Sequence, residues 1–207
     1  MPPEKSVSPP DLRAFFARLV LPGFAELGIA DRAVSDYVID LLARFARTDQ
    51  LYRIRDARGQ QIETIAEMLV ELARQHEPER RWSFDRAVEI RRHVGDYALF
   101  YSGLFRAWVE WQGLGDYYCE QGRAAYAAAA EMAQLSYGEE ARLLRALGEG
   151  FEHLAGALDY VRKVHMRPES HGGEYGDVHL AGRGGQRVQS AGGGGAGLRV
   201  GGAAPPL

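Results

Sequence analysis

The chain has 207 residues, 46% of them apolar and 26% charged, with a formal net charge of −3 and one cysteine. That composition suits a single folded core of ordinary make-up. It disfavours a dedicated nucleic-acid binder, which is usually basic, and it excludes an intrachain disulfide or a thiolate metal cluster. Lys5 and Lys163 are the only lysines, so the basic charge is almost all arginine. Together with the many Ala and Gly residues, this reads as the coding bias of a GC-rich, bacterial genome. Cys119 fits a reducing compartment and a small buried hydrophobe. The apolar stretch from Ala14 to Ala30 is interrupted by Arg18, Pro22-Gly23 and Glu26, unlike a signal peptide. The run from Tyr97 to Phe105 is bracketed by Asp96 and Arg106, far short of the ~20 residues that span a bilayer. The expectation is a soluble, cytoplasmic chain with no membrane segment.

Residues 1–10 hold four of the prolines and no periodic pattern, and read as a flexible leader. A first helix is predicted from Asp11, with Leu12, Phe15, Phe16, Leu19 and Val20 facing inward; Pro22-Gly23 should kink or end it. Asp31 is a good N-cap for a second helix carrying Val34, Val38, Leu41, Leu42 and Phe45 at helical spacing. Leu51 to Gly59 reads as a connector, with Asp56 and Gly59 supplying turn chemistry. A third helix follows from Ile62, closed by Pro78. Ser83 caps a fourth that runs to about Gln112, where Gly113 and Gly115 stop it. Asp116 caps a fifth, which runs to about Leu135. After a break at Ser136-Tyr137-Gly138, a sixth begins with Glu139 and Glu140 in its first turn and ends at Pro168.

Every long segment repeats with period 3.6 and none alternates with period two. The prediction is an all-α, single-domain helical bundle or orthogonal array of about six helices over residues 11–167. Beyond Pro168 glycine dominates and large apolar side chains almost vanish. Residues 168–207 therefore read as a disordered tail, unable to bury enough surface to offset ordering entropy.

The fourth helix is apolar around much of its circumference past Val94, which marks a central helix. Gly95 and Gly103 lie two turns apart on it, and each costs about 1 kcal/mol relative to alanine. The fifth helix carries a seam of Gly122, Ala125, Ala129 and Ala133. Close backbone approach of the two is the simplest recovery of that cost; the other reading is a gap that admits a ligand or a partner helix.

The string Gly95-Asp96-Tyr97-Ala98-Leu99-Phe100-Tyr101-Ser102-Gly103-Leu104-Phe105 resembles a signature of uncharacterised bacterial all-helical proteins. So do Asp116-Tyr117-Tyr118 with Gly122 and Tyr126, and the connector Leu51-Tyr52-Arg53-Ile54-Arg55-Asp56. The resemblance spans about residues 31–165. It implies a helical fold and carries no activity and no catalytic residue. Arg106 stands where the signature leads one to expect proline.

Glu89, His93 and Asp96 share one face of the fourth helix at i, i+4 and i+7, three ligand-type side chains that could hold a metal with help from another helix. Glu149 and His153 repeat the i, i+4 pair. Together they are reminiscent of di-metal bundles, but the Glu-x-x-His spacing of those sites is absent. Asp96 sits between Gly95 and five uncharged, mostly large residues, where a carboxylate must be paired or hydrogen-bonded; Arg123, Arg92 or a tyrosine hydroxyl could do this. Tyr97, Tyr101, Tyr117, Tyr118 and Tyr126 could line a pocket with polar tips or sit half-buried at the bundle rim. Two arginine-rich stretches, Arg44/Arg47/Arg53/Arg55/Arg58 and Arg80/Arg81/Arg86/Arg91/Arg92, could bind a phosphate-bearing ligand if they converge; a solvated face is the plainer reading.

No motif names a reaction. The expectation is a non-enzymatic helical interaction or ligand-binding module, with Asp96, Tyr97, Tyr101, Tyr117, Tyr118 and Arg123 as candidate binding residues. No cofactor is expected. The partner would be a protein or a second copy, met through aromatics such as Trp108 and Trp111; nucleic acid is not expected. The alternative is a metal-dependent enzyme or metalloprotein, with one metal or a di-metal centre, built on Glu89, His93 and Asp96.

Overall fold

The structure, a computed structural model, describes residues 9–74, 83–134 and 138–166. The predicted glycine-rich tail, most of the leader, the helix stop at Pro78 and the break at Ser136-Tyr137 lie outside the described residues. Within them the fold is all-α. The elements are α1 (Pro9–Glu26), α2 (Arg32–Phe45), α3 (Thr48–Leu51), α4 (Ile65–Arg74), α5 (Phe84–Leu104), α6 (Arg106–Trp111), α7 (Gly115–Ala133), α8 (Gly138–Glu149) and α9 (Phe151–Val164). No described helix is long and apolar enough to cross a membrane.

These nine described helices replace the predicted six for local reasons. Thr48–Leu51 winds one short helix inside the predicted connector. At Phe105 the backbone leaves helical geometry (φ −115°, ψ 29°), so the predicted fourth helix becomes α5 and α6. Gly150 divides the predicted sixth helix into α8 and α9, which separates Glu149 from His153. Two predicted ends also shift. Ile62 belongs to a tight turn, its N–H bonding the carbonyl of Ile54 at 3.0 Å. Helix α4 therefore starts at Ile65, where Thr64 and Glu67 bond each other's backbone in a capping box. Asp116 lies in the first turn of α7 and Leu114 takes the cap position.

Helix α1 continues through Pro22, which does not end it. The proline removes one backbone hydrogen bond, yet Val20 and Phe24 on either side are buried to 0% and 1% exposure, and α1 packs along both α2 and α9. Tertiary burial outweighs the single lost bond. The helix ends instead at Gly28, whose φ of +75° closes a Schellman turn with Ile29 N–H on the carbonyl of Phe24 at 2.9 Å.

Helix α5 is the centre. Every residue from His93 to Gly103 is buried, and α2, α4, α6, α7 and α9 all pack on it. Its glycines do admit close neighbours, but each takes a large side chain rather than the small-residue seam. A Cβ at Gly95 would fall 2.7 Å from the ring of Tyr126 on α7, and one at Gly103 would fall 2.5 Å from Cβ of Leu158 on α9. Gly122 of the seam is covered by the ring of Phe151 and by Ala98. The glycines are thus seats for specific residues.

These seats predict opposite outcomes for two conservative changes. Gly95→Ala forces its methyl into the Tyr126 ring and is expected to destabilise by about 1–3 kcal/mol through overpacking. Gly156→Ala in α9, where a Cβ would meet nothing within 4 Å, is expected to stabilise by about 0.4–1 kcal/mol. Urea unfolding midpoints check both; a Gly95→Ala variant as stable as the parent would refute the seat.

Candidate functional site

Asp96 has no exposed surface. Its Oδ1 accepts hydrogen bonds from the hydroxyls of Tyr37 on α2 at 2.6 Å and Tyr126 on α7 at 2.8 Å. Its Oδ2 accepts from Arg44 Nη2 at 3.1 Å. The charge is therefore matched by one cation and two neutral donors, which a buried carboxylate requires. Burial, reinforced by the Asp96 charge, pushes the Tyr37 and Tyr126 hydroxyls well above the usual tyrosine range, so both remain protonated donors.

The network reaches the surface through Tyr37. Arg92 Nε donates to the Tyr37 hydroxyl at 3.0 Å, and Arg92 Nη1 donates to Glu140 on α8 at 2.7 Å. The guanidinium carbons of Arg44 and Arg92 lie 5.8 and 5.1 Å from the centre of the Tyr37 ring, within cation–π range. Above them opens a depression of about 790 Å³. Its walls are Arg13 from α1, Tyr37, Asp40, Ala43 and Arg44 from α2, Arg47 and Gln50 at α3, and Arg92 from α5. The two arginine-rich stretches therefore converge in part: Arg44 and Arg47 from the first meet Arg92 from the second, joined by Arg13.

The other predicted candidates fall elsewhere. Tyr97, Tyr101 and Tyr118 are core residues, 1%, 0% and 7% exposed. Their rings meet one another at 4.5–6.4 Å, and Tyr101 also meets Phe100, Phe105 and Trp108 at 5.4–5.9 Å. The Tyr97 hydroxyl donates to the carbonyl of Glu63. Burial raises all three hydroxyls, that of Tyr118 to about 12. Tyr117 is half-buried beside Tyr118. Arg123 does not reach Asp96; it pairs with exposed Glu152 at 3.0 Å.

Glu89, His93 and Asp96 are each engaged separately. Glu89 faces Arg86 at 2.8 Å and Arg53 at 3.8 Å. His93 is fully buried, with Nε2 donating to the carbonyl of Leu51 at 3.0 Å while Nδ1 accepts from Arg53 Nε at 3.3 Å. Burial lowers its pKa to about 4, against the opposing pull of Asp96, so the ring is neutral at pH 7. Among the described residues, no group of three His, Cys, Asp or Glu side chains is placed to hold a metal ion. Cys119 lines a second depression with Ser102, Arg106 and Glu152. Its thiol is raised by burial, the opposite of what an activated nucleophile needs.

Sequence reasoning missed Tyr37 and Arg13, and it named Arg44 only as part of a charged stretch. The one local signal is that Tyr37 and Arg44 sit seven residues apart on α2, on one face. Their partner Asp96 lies 59 and 52 residues away.

Two measurements probe this network. Asp96→Asn keeps an acceptor for the tyrosines but opposes an amide to Arg44; it is expected to cost about 1–3 kcal/mol of stability, read as a lower urea midpoint. An unchanged midpoint would deny the network its structural weight. The second is the pH dependence of unfolding. The folded chain holds His93 neutral down to about pH 4, whereas the unfolded chain protonates it near 6.5. Its contribution is therefore complete above about pH 6.5 and lost as the pH falls toward 4, by up to about 3 kcal/mol. His93→Gln should flatten that slope between pH 7 and pH 4, and an equal slope in both proteins would exclude His93 as its source.

Comparisons with protein-family models, with curated proteins and with solved structures found no match to this chain.

Proposed function

We propose that the chain is a non-enzymatic helical module that binds a ligand in the depression between α1, α2, α3 and α5. The observation that carries this reading is the anchoring of Arg44 and Arg92. Both guanidiniums are fixed from behind by the Asp96–Tyr37 pair while their side chains stay 31% and 32% exposed. Donors held rigid at the wall of a concave surface lose little entropy on binding, which is what a recognition site requires. The acid–base groups of the interior support binding over catalysis. His93, Asp96, Tyr97 and Tyr126 each spend their polar atoms on intramolecular bonds. A metal-dependent reaction would require Glu89, His93 and Asp96 to abandon those partners. The lone thiol and the absence of a membrane-length helix among the described residues support a cytoplasmic setting. Contact with a protein partner or a second copy is assigned to Trp111, which is 79% exposed at the end of α6.

Filling the depression tests the reading. Ala43 is half-buried in its wall, and Ala43→Trp places an indole where a ligand would sit. In a thermal-shift screen of chemically diverse small molecules, the parent is expected to gain stability with at least one class, by about 2.7 kcal/mol at a hundredfold excess over Kd. The variant, folded by circular dichroism, is expected not to respond. A response retained in Ala43→Trp would move the site elsewhere, and turnover of the bound compound would replace binding with catalysis.

A further inference from the structure

We infer that the ligand of this depression is a small phosphate-bearing molecule, a phosphate monoester or a diphosphate, gripped by Arg13, Arg44, Arg47 and Arg92; this rests on the depression being the recognition site. Four guanidiniums line one concavity, and Asp40 is the single acid among its lining residues. Each of the four arginines keeps one terminal nitrogen without a hydrogen-bond partner among the described residues. Arg13 uses Nε and Nη2, on Asp40 and Asp36. Arg44 uses Nε and Nη2, on the Asp40 carbonyl and Asp96. Arg47 uses Nε and Nη2, on Asp49. Arg92 uses Nε and Nη1, on Tyr37 and Glu140.

The neighbouring carboxylates decide what kind of anion fits. Asp96 is buried and committed to three donors, and Glu140 is held by Arg92 on the α8 side, so neither competes for the concavity. Asp36, Asp40 and Asp49 lie at the surface, 34%, 52% and 59% exposed. Exposed ion pairs of that sort contribute little, and an incoming anion can take their place on Arg13 and Arg47. A carboxylate offers two oxygens and one charge, enough for one guanidinium fork. A phosphate monoester offers three oxygens and close to two charges, which matches donors arriving from several elements. The chain's net charge of −3 opposes a long polyanion and leaves only a local basic pocket.

Isothermal titration of the full chain with phenyl phosphate, pyrophosphate and benzoate tests this. The two phosphates are expected to bind, more weakly as salt rises, and benzoate at least tenfold more weakly than phenyl phosphate. Arg13 and Arg47 contact only surface acids, so R13A/R47A leaves the Asp96 network intact and should weaken phosphate binding on the order of tenfold or more. D40N removes the one acid in the lining and should tighten it. No phosphate binding, equal affinity in R13A/R47A, or benzoate equal to phenyl phosphate would each overturn the inference, as would binding of duplex DNA without the small phosphates. If an uncharged compound binds the parent and is lost in Ala43→Trp while phosphates fail, only the ligand class falls. If no compound of any class responds to Ala43→Trp, the recognition site falls with it.

Discussion

A carboxylate cut off from water is stable only where donors meet it, and the three donors of Asp96 come from two different helices. Removing one member of such a set leaves an uncompensated charge, at a cost of several kcal/mol. Helices α2, α5 and α7 can therefore adopt only the register that brings Tyr37, Arg44 and Tyr126 to one point on α5. Gly95 and Asp96 act on the same partner. The missing side chain at Gly95 lets the Tyr126 ring lie against the α5 backbone, and the next residue accepts that ring's hydroxyl. The glycine cost and the carboxylate burial are two halves of one contact.

The same contact shapes the outside of the molecule. Tyr37 passes the constraint from Asp96 to Arg92, and Arg92 passes it to Glu140. Two arginines that would otherwise sample many rotamers stand fixed beside one tyrosine ring. An exposed arginine such as Arg47 brings charge but no fixed geometry; Arg44 and Arg92 bring both. The depression therefore draws its preorganisation from the core and its adjustable charge from the surface.

What the sequence made legible follows interaction range. Helical periodicity and caps are local, so the all-α class and the Asp31 and Ser83 starts were readable. The breaks at Phe105 and Gly150 were not. Phe105 carries no breaker chemistry, and its ring contacts with Phe100 and Tyr101 are ones an unbroken helix would also make. Pro22 does not end α1, since its local cost is outweighed by burial against α2 and α9, which no window around it reveals. Asp96 stood out because a charge amid apolar residues is a local anomaly. Its partners did not, because a tyrosine and an arginine on α2 look like any amphipathic face. Tyr97, Tyr101 and Tyr118 illustrate the same limit: a tyrosine-rich run is equally compatible with a pocket wall and a stacked core, and only packing placed them in the latter.

The contact between α5 and α7 explains why a polar anchor is needed at all. Part of the facing surface is small, with Ala98 of α5 against Gly122 of α7. Small side chains allow close approach but interlock weakly, and that stretch alone would tolerate sliding. A hydrogen bond to a buried charge has no such tolerance, because a shift of one turn moves the partner by about 5.4 Å and breaks the bond outright. The Tyr126–Asp96 bond therefore holds the same register that the seat of the Tyr126 ring on Gly95 requires. With α7 locked to α5 in this way, and α2 locked through Tyr37 and Arg44, the arginines of the depression inherit a single geometry from a choice made in the core.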